Sequence, residues 1–527
     1  MRLPDIPGRW PTTVSVLQAI RVTSTGNTSS KDKGFWVVEA AEVRTYTLGR
    51  PPEKTGLGNL PIKVNILIAV TFLSVMVTFV VAGPLFAGCV LVVGVVVIGV
   101  VHVKVHGRSM AASWQLSWQA RRAFRRGEGL YVSGPDSKVP GGRFAPAGPL
   151  ARIELIESTD SAGNRYAIAV DRPNNRATVF LDCQLTGDVD RTMAERDQNT
   201  ADYGRFMAGL SLSGDVVSDV TVISHRPATG QLADQEVSTQ LDGSAPELAR
   251  RIQAEAAAEL STAGAELECH KAITFAIDRT EKLDDSFIEN LDYLVPNIYP
   301  ELAWAGVIAT PMDYESVVAR VRSFYDPESE ALFEGLRVKG RSHGLRWEDA
   351  GPGWADAGVD MYCHEDCRSV TWEMVEAPAS TFEDRVLRSL AQPNVNIPRG
   401  RLALIYHPIS SDRGSRIVED EHKSALVGMN SSKSITKTSS AIRAEETDQA
   451  RREVGRGAQM GLYSLMFTAT LGPDDDMRRV SSAVKQAASQ SSIRMEPYKA
   501  MHDVGFVLTA GLGHTSTSLN TVTRILR

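Results

Sequence analysis

Two short segments carry residues that could do chemistry, and the first is a cysteine and histidine cluster. It reads Cys363-His-Glu-Asp-Cys367. Thiolate and imidazole groups are zinc ligands, but a zinc site needs four ligands at defined spacings, and no second Cys/His pair stands nearby. The spacing therefore predicts a surface hairpin turn with two incidental thiols. A metal or redox role is the alternative.

The second segment, Gly511-Leu-Gly-His-Thr515, is the nearest approach to a phosphate-binding loop. Such a loop, G-x-x-x-x-G-K-[ST], uses glycines for close approach of the backbone and a lysine for the phosphates. Here His514 takes the place of the lysine and Leu508 that of the first glycine. No Gly-Lys-Ser or Gly-Lys-Thr occurs in the chain. The sequence thus predicts no catalytic, cofactor-binding or metal-binding residues and a protein that is not an enzyme.

Composition narrows the class of protein. The 527 residues are 43% hydrophobic and 23% charged, which excludes a collagen-like or wholly disordered chain. The five cysteines, of which Cys89 lies in an apolar run, do not form the pattern of a secreted, disulfide-stapled protein. The net charge of −6 gives no global attraction to nucleic acid, so direct nucleic-acid binding is not expected.

One stretch dominates the hydropathy pattern. The 40 residues 64–103 contain no Asp, Glu, Lys or Arg, and about 20 helical residues suffice to span a bilayer. Gly83-Pro84 interrupts the run, because proline lacks an amide donor and restricts the residue before it. The pattern predicts a two-helix transmembrane hairpin, with helices at about 64–82 and 85–103 and its turn at Gly83 and Pro84. The alternative is a core hairpin of a soluble protein, which normally has the polar face that both halves lack.

Basic residues flank both ends of this hairpin and are missing from its turn, which predicts that both termini are cytoplasmic. Residues 110–126 then predict a helix leaving the membrane. Tryptophan favours the headgroup level and arginine binds anionic lipid there. A solvated linker helix and a basic patch for nucleic acid are the alternatives. The predicted membrane-interface residues are Trp114, Trp118, Arg121, Arg122, Arg125 and Arg126.

The remaining pattern divides the chain into segments of different character. Ser-, Thr- and Gly-rich sequence predicts disorder at the N-terminus, and Gly/Pro-rich sequence predicts a linker after the basic helix. The predicted segments are a disordered tail at 1–45, the membrane hairpin at 46–109, the basic helix and linker at 110–150, a first cytoplasmic lobe at 151–300 and a second at 301–527.

Both lobes contain a strand–helix–strand pattern. In the first lobe, Val216–Ser224 and Lys271–Asp278 alternate as strands, and Ser244-Ala-Pro-Glu247 has the form of a capping box for the helix between them. In the second, Leu462–Leu471 and Ile493–Tyr498 flank a helix that begins after three aspartates. The fold class predicted is therefore a membrane-anchored α/β (α+β) protein with ferredoxin-like split strand–helix–strand units.

The order of these segments resembles a known class of membrane protein. The motif TYTLGRPPEKTGLG precedes the hairpin, and IRMEPYKAMHDVGFVLTAGLG (493–513) closes the second lobe. The chain resembles actinobacterial conjugation-type proteins, in which a PrgI-like hairpin is joined to a region similar to the N-terminal, non-ATPase part of the CagE/TrbE/TraC class of secretion ATPase. The resemblance spans about 40–520.

The resemblance implies a non-enzymatic subunit of a conjugation-like type IV secretion system for DNA transfer, located in the inner (plasma) membrane as a multi-pass protein. The implied partners are a separately encoded secretion ATPase, other inner-membrane channel subunits, the lipid bilayer and further copies of the same chain. Two alternatives remain: a type VII secretion component resembling EccE, and a membrane-anchored enzyme. Neighbouring genes, or a pocket of perturbed titratable groups, would distinguish them.

Overall fold

The computed structural model describes most of the chain from residue 62 to residue 513. Most of the predicted tail, 1–45, lies outside the described residues. One short strand of the tail, Arg21–Thr23, is described, and it pairs in antiparallel fashion with Thr45–Thr47. The described residues are 21–23, 45–47, 62–102, 104–105, 108–134, 137, 145–185, 191–231, 235, 239, 244–277, 285–376, 385–431 and 438–513.

Helices and strands are numbered in chain order over the described residues. The helices are α1 Ile62–Ala82, α2 Pro84–His102, α3 Met110–Arg125, α4 Met193–Ser213, α5 Glu247–Ala263, α6 Asp285–Trp304, α7 Tyr314–Tyr325, α8 Glu330–Val338, α9 Arg388–Ala391, α10 Ser411–Ser431, α11 Thr438–Gly455, α12 Met477–Gln490 and α13 His502–Thr509. The strands are β1 Arg21–Thr23, β2 Thr45–Thr47, β3 Lys104–Val105, β4 Arg108–Ser109, β5 Leu130–Val132, β6 Ile153–Thr159, β7 Arg165–Asp171, β8 Arg176–Leu185, β9 Val216–Pro227, β10 Ala265–Ala276, β11 Val307–Pro311, β12 Trp354–Ala357, β13 Tyr362–His364, β14 Cys367–Glu376, β15 Arg399–Pro408, β16 Gly461–Leu471 and β17 Arg494–Pro497.

The first two helices, α1 and α2, pack together as an antiparallel hairpin. Gly83 lies between them with φ of +90°, a left-handed conformation that glycine adopts without steric cost. Pro84 is the first residue of α2, a position where its missing amide hydrogen needs no partner. Halfway along, Gly94 lies against Thr71, so close that a Cβ at residue 94 would come within 2.1 Å of Thr71 Cγ2. The helix bounds agree with the predicted ones to within two residues.

Most side chains of both helices are exposed, although they are strongly apolar. Among the described residues, one helix, Asn65–Ala82, is long and apolar enough to cross a membrane, and none of it is buried. Pro84–Val100 is a shorter apolar helix. After the hairpin, the chain forms the β3–β4 ribbon and α3, which contacts α2, and then enters the main sheet as its edge strand β5.

Thirteen of the described strands form one antiparallel sheet, so the molecule is an α+β protein. The strand order is β5-β12-β13-β14-β16-β15-β9-β10-β8-β7-β6, with β11 also beside β8 and β17 also beside β14. Within this sheet, one βαββαβ motif consists of β8, α4, β9, β10, α6 and β11. Its strand order is β11-β8-β10-β9. A second βαββαβ motif consists of β14, α9, β15, β16, α12 and β17. Its strand order, β17-β14-β16-β15, is equivalent to that of the first. Both orders are those of a ferredoxin-like split motif.

The two halves share one sheet because β9 pairs with β15 along a seam of seven residue pairs, from His225↔Gly400 to Asp219↔Tyr406. Both faces are covered. One apolar core lies under α4, α6, α9 and α12, and the other lies under α7 and α13. Strands such as β9 are therefore buried on both sides, and polar residues of β9 such as Asp219 and Thr221 are buried along with its valines.

Two details of the predicted pattern are wrong. Helix α5 begins at Glu247 with Pro246 as its N-cap, so the N-cap lies two residues after Ser244, where the sequence predicts it. The capping box in this half lies instead at Thr192 and Glu195, at the start of α4. The two strand–helix–strand units compared in the sequence are also not equivalent, because α5 is an insertion between adjacent strands, and α12 corresponds to α6.

Candidate functional site

Helix α3 brings the predicted membrane-interface residues to one exposed surface. Trp114 is 76% exposed and Trp118 54% exposed, and the Arg122 guanidinium carbon lies 5.4 Å from the ring centre of Trp118. Residues separated by four, seven and eleven positions share a helix face, so Trp114, Trp118, Arg121 and Arg125 lie together. The arginines of the helix are exposed as well. This surface combines amphipathic rings with positive charge and suits an anionic partner.

The predicted cysteine hairpin is confirmed, and its geometry does not suit a shared metal ion. Cys363 lies opposite Arg368 in the β13–β14 pair, whereas Cys367 lies opposite His364. Directly opposed residues share a face and neighbours alternate, so the two thiols lie on opposite faces of the hairpin. His364 is buried, with Nδ1 bonded to Tyr325 O at 2.7 Å and Nε2 bonded to Ser369 Oγ at 2.8 Å. Within the described part of the chain, no group of three or more His, Cys, Asp or Glu could hold a metal ion.

The glycines that imitate a phosphate-binding loop have a packing role. Gly511 and Gly513 have φ of +64° and +72° and are buried against the sheet. A Cβ at Gly511 would come within 2.7 Å of Val222, and one at Gly513 within 2.0 Å of Thr178 Oγ1. The backbone therefore approaches the sheet too closely for any other side chain, and α13 ends on this contact.

Sequence reasoning missed a segment with the spacing of a serine-hydrolase nucleophile elbow, Gly340-Arg-Ser-His-Gly344. The segment is a loop after α8 and does not join a strand to a helix. Ser342 Oγ donates to the Glu315 carboxylate. His343 Nε2 bonds to Glu315 O at 3.0 Å, and its Nδ1 accepts from Leu345 N at 3.0 Å. Both ring nitrogens are thus engaged with the backbone, which leaves neither to act as a base toward the serine.

The largest ionic arrangement lies where α7 and α8 approach β9, β10 and β15 at the seam. Its centre is Arg226, which is 8% exposed. Its Nη2 lies 2.6 Å from Glu266 and 3.0 Å from Glu268, and its Nε lies 2.9 Å from Glu330. We call the whole group the seam cluster; its members are Arg226, Glu266, Glu268, Arg320, Glu330, Glu334 and Arg399.

The seam cluster contains charged groups of both signs, and these shift the pKa values of its carboxylates. Burial opposes ionisation of Glu268, but the Arg320 and Arg226 guanidinium groups outweigh it and lower its pKa to about 2. Burial raises the pKa of Glu266 and Glu330 despite nearby arginines. Because Arg399 lies in the second half and Arg226 in the first, the cluster joins the two halves through α7 and α8. Its geometry is that of a network of ion pairs between arginines and carboxylates that holds neighbouring elements together.

Comparison with known proteins gives one family match. Residues 53–112 match a family described as a domain of unknown function (DUF8461). The match covers the helical hairpin, the β3–β4 ribbon and the start of α3, and it does not extend to the sheet. No curated protein matches the chain.

Proposed function

We propose that this protein is a non-enzymatic, membrane-anchored docking subunit, whose α1–α2 hairpin holds the sheet at the cytoplasmic face of the inner membrane. The observation that carries the proposal is the apolar outer surface of the hairpin. Phe72 is 67% exposed, Val81 81% and Leu85 83%, and similar residues follow along both helices. Soluble monomers rarely expose continuous apolar patches above a few hundred Å², so this surface favours a lipid environment.

The dimensions of the hairpin are consistent with two membrane spans. Helix α1 has 21 residues and α2 has 19. At about 1.5 Å per residue, each is about 30 Å long, which matches the hydrocarbon core of a bilayer. The uncharged turn can lie at the far surface, while Lys63, Lys104 and Arg108 at the open end favour the cytoplasmic side.

Helix α3 extends this anchor along the membrane surface. Its exposed face places Trp114 and Trp118 beside arginines. Indole rings favour the headgroup level and arginines favour anionic lipid, so α3 is suited to lie at the cytoplasmic interface. Since β5 follows it directly and pairs with β12, the anchor is coupled to one edge of the sheet.

The system we propose is a conjugation-like type IV secretion machine, in which the sheet is the platform for a separately encoded ATPase. Support comes from the sequence resemblance and from the tandem ferredoxin-like halves. The packing role of Gly511 and Gly513 also leaves nucleotide hydrolysis to a partner. Anchoring at the membrane raises the effective concentration of the platform for such partners.

The partner is tested by purifying the tagged full-length protein from native membranes in mild detergent. We expect a Walker-type ATPase encoded beside this gene to co-purify, and an unrelated tagged two-span membrane protein expressed equally to recover none. Recovery without any ATPase, or nucleotide hydrolysis by the pure protein, would contradict the proposal. Co-purification with type VII channel subunits would instead establish the EccE-like alternative.

The anchor is tested separately by extraction and reporter fusions. We expect the protein to stay in the membrane fraction after alkaline carbonate extraction, because the hairpin is integral. Reporters that are active only in the cytoplasm should work at both termini. Release into the soluble fraction without detergent, or an extracytoplasmic terminus, would refute the two-span anchor.

A further inference from the structure

Arg401 is a buried cation held between two aromatic rings. It lies on β15, is 5% exposed and points to the sheet face that α7 and α13 cover. Its guanidinium carbon is 4.4 Å from the ring centre of Phe324 on α7 and 4.3 Å from that of Phe506 on α13. Guanidinium groups stack well on aromatic rings, and their N–H bonds point outward in the plane of the group. The rings cover both faces of the Arg401 guanidinium group, so only the N–H bonds at its edge can form hydrogen bonds.

One such edge of Arg401 has no partner. Both Nε and Nη2 are buried without a hydrogen-bond acceptor. These two nitrogens carry the parallel N–H bonds with which arginine grips the two oxygens of a carboxylate or phosphate. A buried donor that is left unpaired is costly, and such a cost at a charged group requires an explanation.

Arg401 also lacks a counter-charge. No ion pair between described residues includes it, whereas Arg399, two residues earlier on the same strand, pairs with Glu330. The titratable groups that act on Arg401 are Tyr325 and Arg399, and neither is a carboxylate. Burial lowers the pKa of Arg401 to about 9, so the group is still a cation at neutral pH.

We propose that the free edge of Arg401 binds a small oxyanion from solution, a phosphate or carboxylate group. The Nε and Nη2 donors would hold two of its oxygens, while Phe324 and Phe506 fix the plane of the guanidinium group. Both nitrogens are closed off from solvent by α7, α13 and the sheet, so the ligand must be small and its entry requires a helix to move away from the sheet. Binding would neutralise the charge and tie both helices to the seam. The site stands independently of the membrane anchor and of any secretion partner.

The test is thermal unfolding of the full-length protein in detergent with added inorganic phosphate or acetate, against chloride at equal ionic strength. We expect the midpoint to rise by about 2–4 °C once the anion exceeds its dissociation constant about a hundredfold. A response to phosphate alone identifies a phosphoryl ligand, and a response to acetate alone identifies a carboxylate. No response to either anion overturns the proposal.

Substitution of Arg401 separates a ligand site from a structural clamp. Arg401→Met should abolish the anion response and leave the midpoint in chloride unchanged or higher, because it removes an uncompensated buried charge. The matched control, Arg399→Met, should lower the midpoint by breaking the pair with Glu330 but keep the response. If Arg401→Met kept the response, or lowered the midpoint in chloride as Arg399→Met does, the site would be refuted. Calorimetric titration of phosphate and of acetate into the unmodified protein gives a second readout, and binding of neither anion would also refute the site.

Discussion

Buried cations on the two faces of the sheet have opposite surroundings. Lys271 Nζ donates to Asp219 Oδ2 at 2.8 Å, to Thr221 Oγ1 at 2.7 Å and to Tyr203 Oη at 3.0 Å. Burial disfavours its charge, but Asp219 and its other neighbours outweigh that effect and raise the pKa of Lys271. All three ammonium donors are used. Lys271 is therefore a structural cation whose donors are all satisfied, in contrast to Arg401, whose Nε and Nη2 lack acceptors.

Lys271→Met tests that assignment. The variant leaves Asp219 buried without a partner, and breaking a buried pair in this way costs about 3–5 kcal/mol. Adding Asp219→Asn should recover part of the loss, because the remaining charge is removed. Thermal unfolding of the full-length protein measures both effects. Equal midpoints for the single and double variants would show that the unpaired Asp219 charge costs nothing in the absence of Lys271, which would contradict this account of the ion pair.

Glu268 makes stability depend on pH in one direction. Its folded-state pKa of about 2 lies below the ordinary value of 4.5, so folding favours the ionised form. The stabilisation is complete above pH 4.5 and is lost as the pH falls toward 2. Glu268→Gln should therefore lower the unfolding midpoint at pH 7 and have a smaller effect at pH 3.

The control for this variant is Glu255→Gln. Glu255 is exposed and lies 4.0 Å from the exposed Arg251, a geometry that contributes little. Midpoints measured between pH 3 and pH 7 should differ little from those of the unmodified protein. If Glu268→Gln lowered the unfolding midpoint by the same amount at every pH from 3 to 7, the titration of Glu268 would be ruled out as the cause.

Among the elements, the α1–α2 hairpin depends on a close helix contact. Small residues let helix backbones approach each other in membranes. A Cβ at Gly94 would lie 2.1 Å from Thr71 Cγ2 and 3.2 Å from its Cβ, whereas one at Gly99 would meet nothing within 4 Å. A larger side chain should therefore disturb the hairpin at residue 94 of α2 and be tolerated at residue 99.

Gly94→Ala is expected to lower the unfolding midpoint of the detergent-purified protein, because the new methyl group overlaps Thr71. Adding Thr71→Ala removes the overlapping atoms and should restore most of the loss. Gly99→Ala is the matched control and should have almost no effect. If Gly94→Ala and Gly99→Ala behaved alike, the close approach of the two helices would be disproved.

Helix α5 shows what an amphipathic pattern does and does not determine. Its apolar spacing correctly predicted a helix, but Leu248 is 69% exposed and Ile252 56% exposed. Periodicity reports which residues share a face, while contact depends on which element lies opposite. As an insertion between β9 and β10, α5 lies outside the set of helices that cover the sheet in the ferredoxin-like motif.

For the whole molecule, the seam makes the two halves one folding unit. Strand β9 is buried on both faces and pairs with β15 along its length, and the seam cluster adds ion pairs between the halves. Separation would leave the 12-residue strand β9 as an unpaired sheet edge, which is a template for aggregation.

A fragment of residues 145–311, which ends after β11, should therefore aggregate when expressed alone. A fragment of residues 130–513, which keeps both halves and β5, should be soluble and monodisperse. Size-exclusion chromatography with light scattering distinguishes these outcomes. A folded, monomeric 145–311 fragment would show that the halves are independent domains.

Local sequence determined much of this architecture. Strands such as β9, β10 and β16, and the helices of the hairpin, follow from hydrophobic periodicity and from the Gly83-Pro84 interruption, because these signals act within about 20 residues. Local sequence did not predict which elements of the two halves are equivalent, because strand–helix–strand patterns look alike whether or not their strands are neighbours in the sheet. The same holds for helix N-caps, because Ser244 has the spacing of a capping box but the N-cap of α5 is Pro246, whereas Thr192 caps α4.

What the sequence by itself determined is therefore several of the long strands, the apolar hairpin and the arginine- and tryptophan-bearing face of α3. Tertiary structure alone decided the strand order, the seam cluster and the free edge of Arg401. The seam cluster draws on β9, β10, α7, α8 and β15, and Arg401 meets rings from α7 and α13. These groups are far apart along the chain, and only the pairing of β9 with β15 brings them to one face, where burial decides which charges find a partner.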